Sequence, residues 1–340
     1  MKTVISGGRV IDPASGDNEV SDLFLDGATI VAPGQFAASD ADRTIDAAGC
    51  IVMAGGIDIH THIGGGKLAI ARMLMQDQGG SVDPAQSAFL PSASVAASRY
   101  LEMGYTVAFE PAVIASNARS AHAEMADMPG LATGGFCVLG NDELLLQLIA
   151  DDCDQSLLND YVAWMVRATQ CIAVKVVNPG GISAFKFGKR DFDVDTPHPK
   201  YGVTAGTVIR RLARATYEIG LAHPLHVHAS NLGVPGNIRT TLATIRAANG
   251  YPIHLTHAQF HCYGDQSEHG MSSGAAELAD ALNQHPNVTI DVGQIMFGQT
   301  VTLSADAPHQ FENRKHASPR KSIIVDVECE AGCGVVPFRY

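Results

Sequence analysis

The chain has 340 residues, 46% of them hydrophobic and 17% charged, which suits one large α/β domain with a small appendage. A formal charge of −12, with no basic stretch to neutralise phosphates, excludes a nucleic-acid partner. No run of about 18 apolar residues occurs, so no membrane-spanning helix is expected, and the glycine-broken start Met1–Gly8 is not expected to be a signal peptide.

Residues 1–52 read as short strands punctuated by Asp-Gly and Pro: Val4-Ile5, Gly7–Asp12, Asp22–Gly27 and Arg43–Asp46. They predict a small N-terminal β-sheet. From 53 to 340 the pattern changes to apolar strands alternating with helical stretches. Candidate strands are 57–62, 105–111, 134–140, 172–178, 224–228, 253–257 and 288–293, and helical stretches include 93–103, 204–219, 237–248 and 273–283. This alternation predicts parallel pairing, in an α/β barrel or a doubly wound sheet. The seven cysteines are odd in number and scattered, and they read as reduced thiols of a cytoplasmic protein. Cys329-x-x-x-Cys333 has no matching second pair and is not read as a metal site.

The candidate ligands fall at the C-terminal ends of these strands, where a (β/α)8 barrel builds its active site. In Ile57–His62, His60 and His62 alternate, so on a strand both imidazoles aim at one point. Neutral imidazole suits zinc and related metals; a pair of core or surface histidines is the competing reading. Lys175 sits inside the apolar run Ile172–Asn178. A buried lysine there is costly unless neutralised or modified, for instance by carboxylation to an anionic two-oxygen ligand. Taken alone, a lysine paired with a carboxylate is the better reading. His226-Val227-His228 repeats the alternation, with His226 one pleat deeper, as a core histidine beneath the ligand His228. His254 and His257, three apart, point to opposite faces if one strand holds both, and His257 at the strand end is the better ligand. His261, in the loop beyond, is placed to touch substrate.

The order His60, His62, Lys175, His228, His257 resembles the amidohydrolase superfamily with two metals and a bridging carboxylated lysine, as in dihydroorotases and hydantoinases. More closely, Gly55–Lys67, Val174–Gly181, His226–Asn237, His257–Gly264, Ser272–Glu277 and Gly332–Tyr340 look like the A-subunit of the formylmethanofuran dehydrogenase and formyltransferase/hydrolase complexes. The resemblance implies a metal-dependent-hydrolase barrel of the (β/α)8 type, incomplete and lacking strand 8, over 53–340. It implies an N-terminal β-sandwich portion over 1–52. It further implies two divalent cations, zinc by preference, held by His60, His62, N6-carboxylated Lys175, His228 and His257, with His261 and Asn231 at the substrate. The implied reaction is hydrolysis, or in reverse formation, of the formamide of formylmethanofuran. Its partners would be a methanofuran-type carrier as substrate and the other subunits of the complex.

Family members are longer, and their proton-shuttling aspartate after the eighth strand would fall beyond Tyr340. The chain is therefore expected to be a fragment that is inactive as given, and Asp291, Asp306 and Asp326 are not assigned that role. The alternative readings are a cyclic amidase and a non-catalytic assembly subunit.

Overall fold

The structure, a computed structural model, describes residues 1–66, 92–189, 191–266 and 272–292, and the backbone of three further strands within 301–338. The chain divides into two compact units, Met1–Gly56 and Ile57–Tyr340.

In the first unit, β1 (Lys2–Asp12) runs antiparallel to β2 (Asp17–Asp26), which pairs with β3 (Thr29–Val31). The tight reversal is held by Ser15, whose hydroxyl contacts the Asp12 and Asp17 carboxylates at 2.9 and 2.8 Å. On the other edge of β1, β4 (Arg43–Asp46) and β5 (Ile51–Val52) pair parallel to it. The two expected pieces Val4-Ile5 and Gly7–Asp12 are one strand. A register shift between Ile5 and Gly8, with Gly7 at φ +73°, absorbs the irregularity that glycine permits.

The second unit starts from β6 (Gly56–Asp58) and continues through α1 (Ala93–Glu102), β7 (Tyr105–Val113), α2 (Ala118–Ala126) and β8 (Ala132–Val138). It goes on through α3 (Glu143–Ala150), α4 (Gln155–Ala168), β9 (Ala173–Val177), α5 (Gly181–Phe185) and α6 (Ala205–Ile219). Next come β10 (Leu225–His228), α7 (Ile238–Ala247), β11 (Ile253–Leu255), the short pair β12 (Tyr263–Gly264) and β13 (Ser272–Ser273), α8 (Ala275–Gln284) and β14 (Val288–Ile290). A separate sheet of β15 (Val301–Ser304), β16 (Ile323–Cys329) and β17 (Gly332–Phe338) was not expected from the sequence. Helix ends follow local chemistry. Asp142 accepts from the Leu145 N–H at 2.8 Å at the start of α3, Thr204 accepts from Thr207 at 3.2 Å before α6, and Gly220 at φ +74° closes α6.

The seven-stranded sheet has the order β14-β11-β10-β9-β8-β7-β6, and the pairs from β7 to β14 are parallel. It curls: His60, just past the edge strand β6, is hydrogen-bonded to Thr256 beyond β11 and to His226 in β10. This is the incomplete barrel expected of this chain, with seven strands among the described residues.

Register divides the strands into two faces. Val138, Lys175, His226, His254 and Thr289 are neighbours across β8, β9, β10, β11 and β14, and so share the inner face. Val176, Val227, Leu255 and Ile290 form the adjacent row on the outer face. There they join one core cluster with Leu145, Val162 and Leu212 of the flanking helices. Each such fully buried aliphatic side chain contributes roughly 1.5–3 kcal/mol.

On the inner face, Phe136 of β8 stacks on Phe109 at 5.6 Å and on His223 at 5.1 Å. Gly134 makes room for this: a Cβ there would lie 2.7 Å from the Phe109 ring.

Candidate metal centre

His60 and His62 are not on a strand. The Asp58 carboxylate accepts the His60 N–H at 3.0 Å, an Asx turn that ends β6 two residues before His60. Tyr100 holds the turn, donating to Asp58 at 3.0 Å and bonding to the Thr61 hydroxyl. The expected strand 57–62 is therefore corrected to 56–58, and it is the turn that brings the rings together, 5.4 Å apart and nearly perpendicular.

His60 Nδ1 lies 2.8 Å from His226 Nε2, and His226 Nδ1 lies 3.0 Å from His223 Nε2, so three imidazoles form a chain. His226 is fully buried beneath His60 and stacks on His254 at 4.9 Å. Burial first, then the neighbouring Lys175, hold the pKa values of His60 and His226 well below the ordinary histidine value. Both are therefore neutral at pH 7, the form in which an imidazole ligates metal. Lys175 itself is 1% exposed, in register with His226.

His62 Nδ1 lies 2.9 Å from Glu110 Oε1. Glu110, 1% exposed in β7, also accepts the N–H groups of Ile63 at 3.0 Å, Gly64 at 3.2 Å and Ala112 at 3.0 Å. Glu124 accepts the Gly65 N–H at 3.0 Å.

His257 also departs from the expected strand. β11 ends at Leu255, and His257 adopts φ +37° while its N–H donates to the Asp291 carboxylate. Strand parity with His254 thus does not decide where it points. Its ring meets His228 at 4.7 Å, His60 at 5.2 Å and His261 at 5.1 Å. The ligand atoms of His228, His257 and His261 all lie within 4.8 Å of one another, as do those of His60, His226 and Asp291. Asn231 turns its amide to the Thr240 hydroxyl of α7, at 3.1 Å, and its carbonyl accepts from Asn237 at 2.9 Å.

Asp291 directly follows β14, and its Oδ2 lies 3.1 Å from His254 Nε2. Burial alone would raise its pKa, but hydrogen bonds from His254, the His257 N–H and Thr256 outweigh that and hold it below the ordinary carboxylate value. Its position just past a barrel strand, like that of His257, is the signal by which it could have been placed here. Asp306 and Lys67 lie outside the described residues, as does the side chain of Asp326. Glu110 and His223 belong to no sequence motif, and sequence reasoning misses both.

Neutral imidazoles, an ionised carboxylate and a buried lysine converging on one end of a parallel sheet are a donor set that fits divalent zinc-like cations.

Residues 43–339 match the model of the amidohydrolase family, and the chain belongs to this family of metal-dependent hydrolases. It is 44% identical over 349 aligned residues to the A-subunit of the formyltransferase/hydrolase complex Fhc of Methylorubrum extorquens, covering all of this chain and 63% of that protein. Protein FwdA of Methanocaldococcus jannaschii is 34% identical over 359 aligned residues, covering all of this chain and 62% of that one. The crystal structure of the formyltransferase/hydrolase complex (FhcABCD) from M. extorquens, in complex with methylofuran, contains a chain that superposes with a TM-score of 0.87 at 42% identity. That match covers 100% of this chain and 63% of that chain. The chain thus spans a little over three-fifths of the length of these relatives.

Proposed function

We propose that this chain is the amidohydrolase subunit of a cytoplasmic formyltransferase/hydrolase-type complex. Its reaction would be hydrolysis, or in reverse formation, of the formamide of a formylated methanofuran-type carrier, with formate as the other product. The observation that carries the reading is the convergence of His60, His62, Lys175, His228 and His257 at the C-terminal end of the curled sheet. The full-length likeness to a subunit of a methylofuran-binding complex supports the substrate class.

His60, His62, His228 and His257 would hold two divalent cations, zinc by preference, with Lys175 carboxylated on Nζ between them. A carbamate suits this place because it would turn a buried cation, 1% exposed, into an anionic two-oxygen ligand. When bound, the cations supply a Lewis acid for the formyl oxygen and acidify water. His226 and Thr256 orient His60, and Asp291 holds the His257 backbone in its left-handed turn. His261, 2% exposed and stacked on His257, would touch a bound formamide. With the His254 ring and the His257 N–H on its two oxygens, Asp291 acts here as a support. The proton shuttle is assigned to none of the described residues.

The test is formate release from a formylated methanofuran carrier by the assembled complex containing this subunit, with metal analysis of the same sample. Formate release with about two divalent cations per protomer is expected, and no turnover of dihydroorotate. Turnover of dihydroorotate without formate release, or full activity in a metal-free sample, would overturn the reading.

A further inference from the structure

We infer that Glu110 is a positioning residue for the metal centre, fixing the tautomer and orientation of His62 so that Nε2 is the nitrogen that coordinates. The inference rests on the reading of His62 as a ligand given above.

Glu110 is a lone acid in the strand Tyr105–Val113, 1% exposed, and its carboxylate meets the His62 ring and three backbone N–H groups. Oε1 accepts from Ala112 N–H at 3.0 Å and meets His62 Nδ1 at 2.9 Å. Oε2 accepts from the N–H groups of Ile63 and Gly64 at 3.0 and 3.2 Å. Backbone N–H groups only donate, so both oxygens are committed as acceptors, as suits an ionised carboxylate. The hydrogen in the His62 contact then belongs to Nδ1, and in the neutral ring, the form that ligates metal, the lone pair is on Nε2.

A purely structural staple for the 61–65 turn would not need the ring. Glu124 already binds the same turn, through the Gly65 N–H. Beyond its own two N–H bonds to the turn, from Ile63 and Gly64, Glu110 adds the bond to the His62 ring. Carboxylate partners of ligating histidines typically account for ten- to a hundredfold in metal affinity.

The experiment uses the full protein with its partner subunits and measures zinc affinity by competition with a chelator. Glu110→Gln keeps the side-chain length but turns one acceptor into a donor, and it is expected to weaken zinc binding by about ten- to a hundredfold. In a His62→Ala background the same substitution should add no further loss. Should Glu110→Gln not fold, the metal-free wild type decides the question. The ¹⁵N shifts of its histidine rings, with His62 assigned through His62→Gln, should show the Nδ1–H tautomer. An Nε2–H tautomer, an affinity in Glu110→Gln within twofold of wild type, or an equal loss in the His62→Ala background would each overturn the inference. Zinc binding by His62→Ala as tight as wild type would instead overturn the ligand reading, and the inference with it.

Discussion

The two faces of β9, β10 and β11 are made by the same strands in alternation, yet they follow opposite rules. Val176, Val227 and Leu255 face the helices and do what core residues do, removing apolar area from water. One residue away, Lys175, His226 and His254 face inward, buried just as completely and polar throughout. Burying such groups is unfavourable unless they satisfy one another, which His226 does by bonding to His60 and His223, and His254 by bonding to Thr289 and Asp291. One face supplies the stability that the other consumes.

Substitutions on the inner face at the top of the sheet should have the largest effect. Lys175→Ala or His228→Ala is expected to strip metal and lower formate release by more than about a hundredfold, beyond what groups one step from a metal contribute, with circular dichroism unchanged. Short carboxylic acids should partly restore the Lys175→Ala variant. Retention of both metals by either variant would end the distinction between the faces.

On the outer face, Leu225→Ala should lower stability by about 3 kcal/mol in denaturant titration while zinc content stays at the wild-type level. His226→Ala tests the layer between. Losing a fully buried ring with two imidazole partners should lower stability by about 2 kcal/mol, with metal retained at reduced affinity. If His226→Ala strips metal while His228→Ala only destabilises, the roles along β10 are reversed.

A smaller effect concerns pH. Burial, and then His254, push His223 down to about 4, below its ordinary value near 6.5. Between those values the unfolded chain binds a proton that the native protein does not, so stability falls as pH drops through this window. His223→Gln should flatten that part of the stability–pH curve; an unchanged slope would show that His223 is protonated in the fold. The smallest effect belongs to the exposed pair Arg214–Glu218, 2.6 Å apart on α6. Arg214→Ala should leave both stability and metal content essentially unchanged.

Much of this was legible because strand patterns expose both faces at once. The apolar runs around Lys175 and His226 announced buried strands, and the polar residues inside them announced the site. What was not legible were the places where the chain leaves the strand. The Asx turn at Asp58 and the left-handed His257 deliver candidate ligands that alternation could find but not orient. Glu110 meets its partner His62 across 48 residues of sequence, and Asp291 meets His257 across 34, and neither contact leaves a local mark. The second glutamate on the turn, Glu124, lies on a helix, where strand alternation has nothing to say.

The inner row also bears on how the sheet assembles. If β10 paired one residue out of step, Leu225 and Val227 would turn into the barrel. His226 and His228 would turn onto the helices, among Val174, Val208 and Leu212. Among the described residues that core is aliphatic, and the Lys175 neighbourhood would face aliphatic side chains. Slipped pairings of β9, β10 and β11 are thus unfavourable on both sides at once, so the residues gathered for chemistry also discriminate among competing alignments while the chain folds.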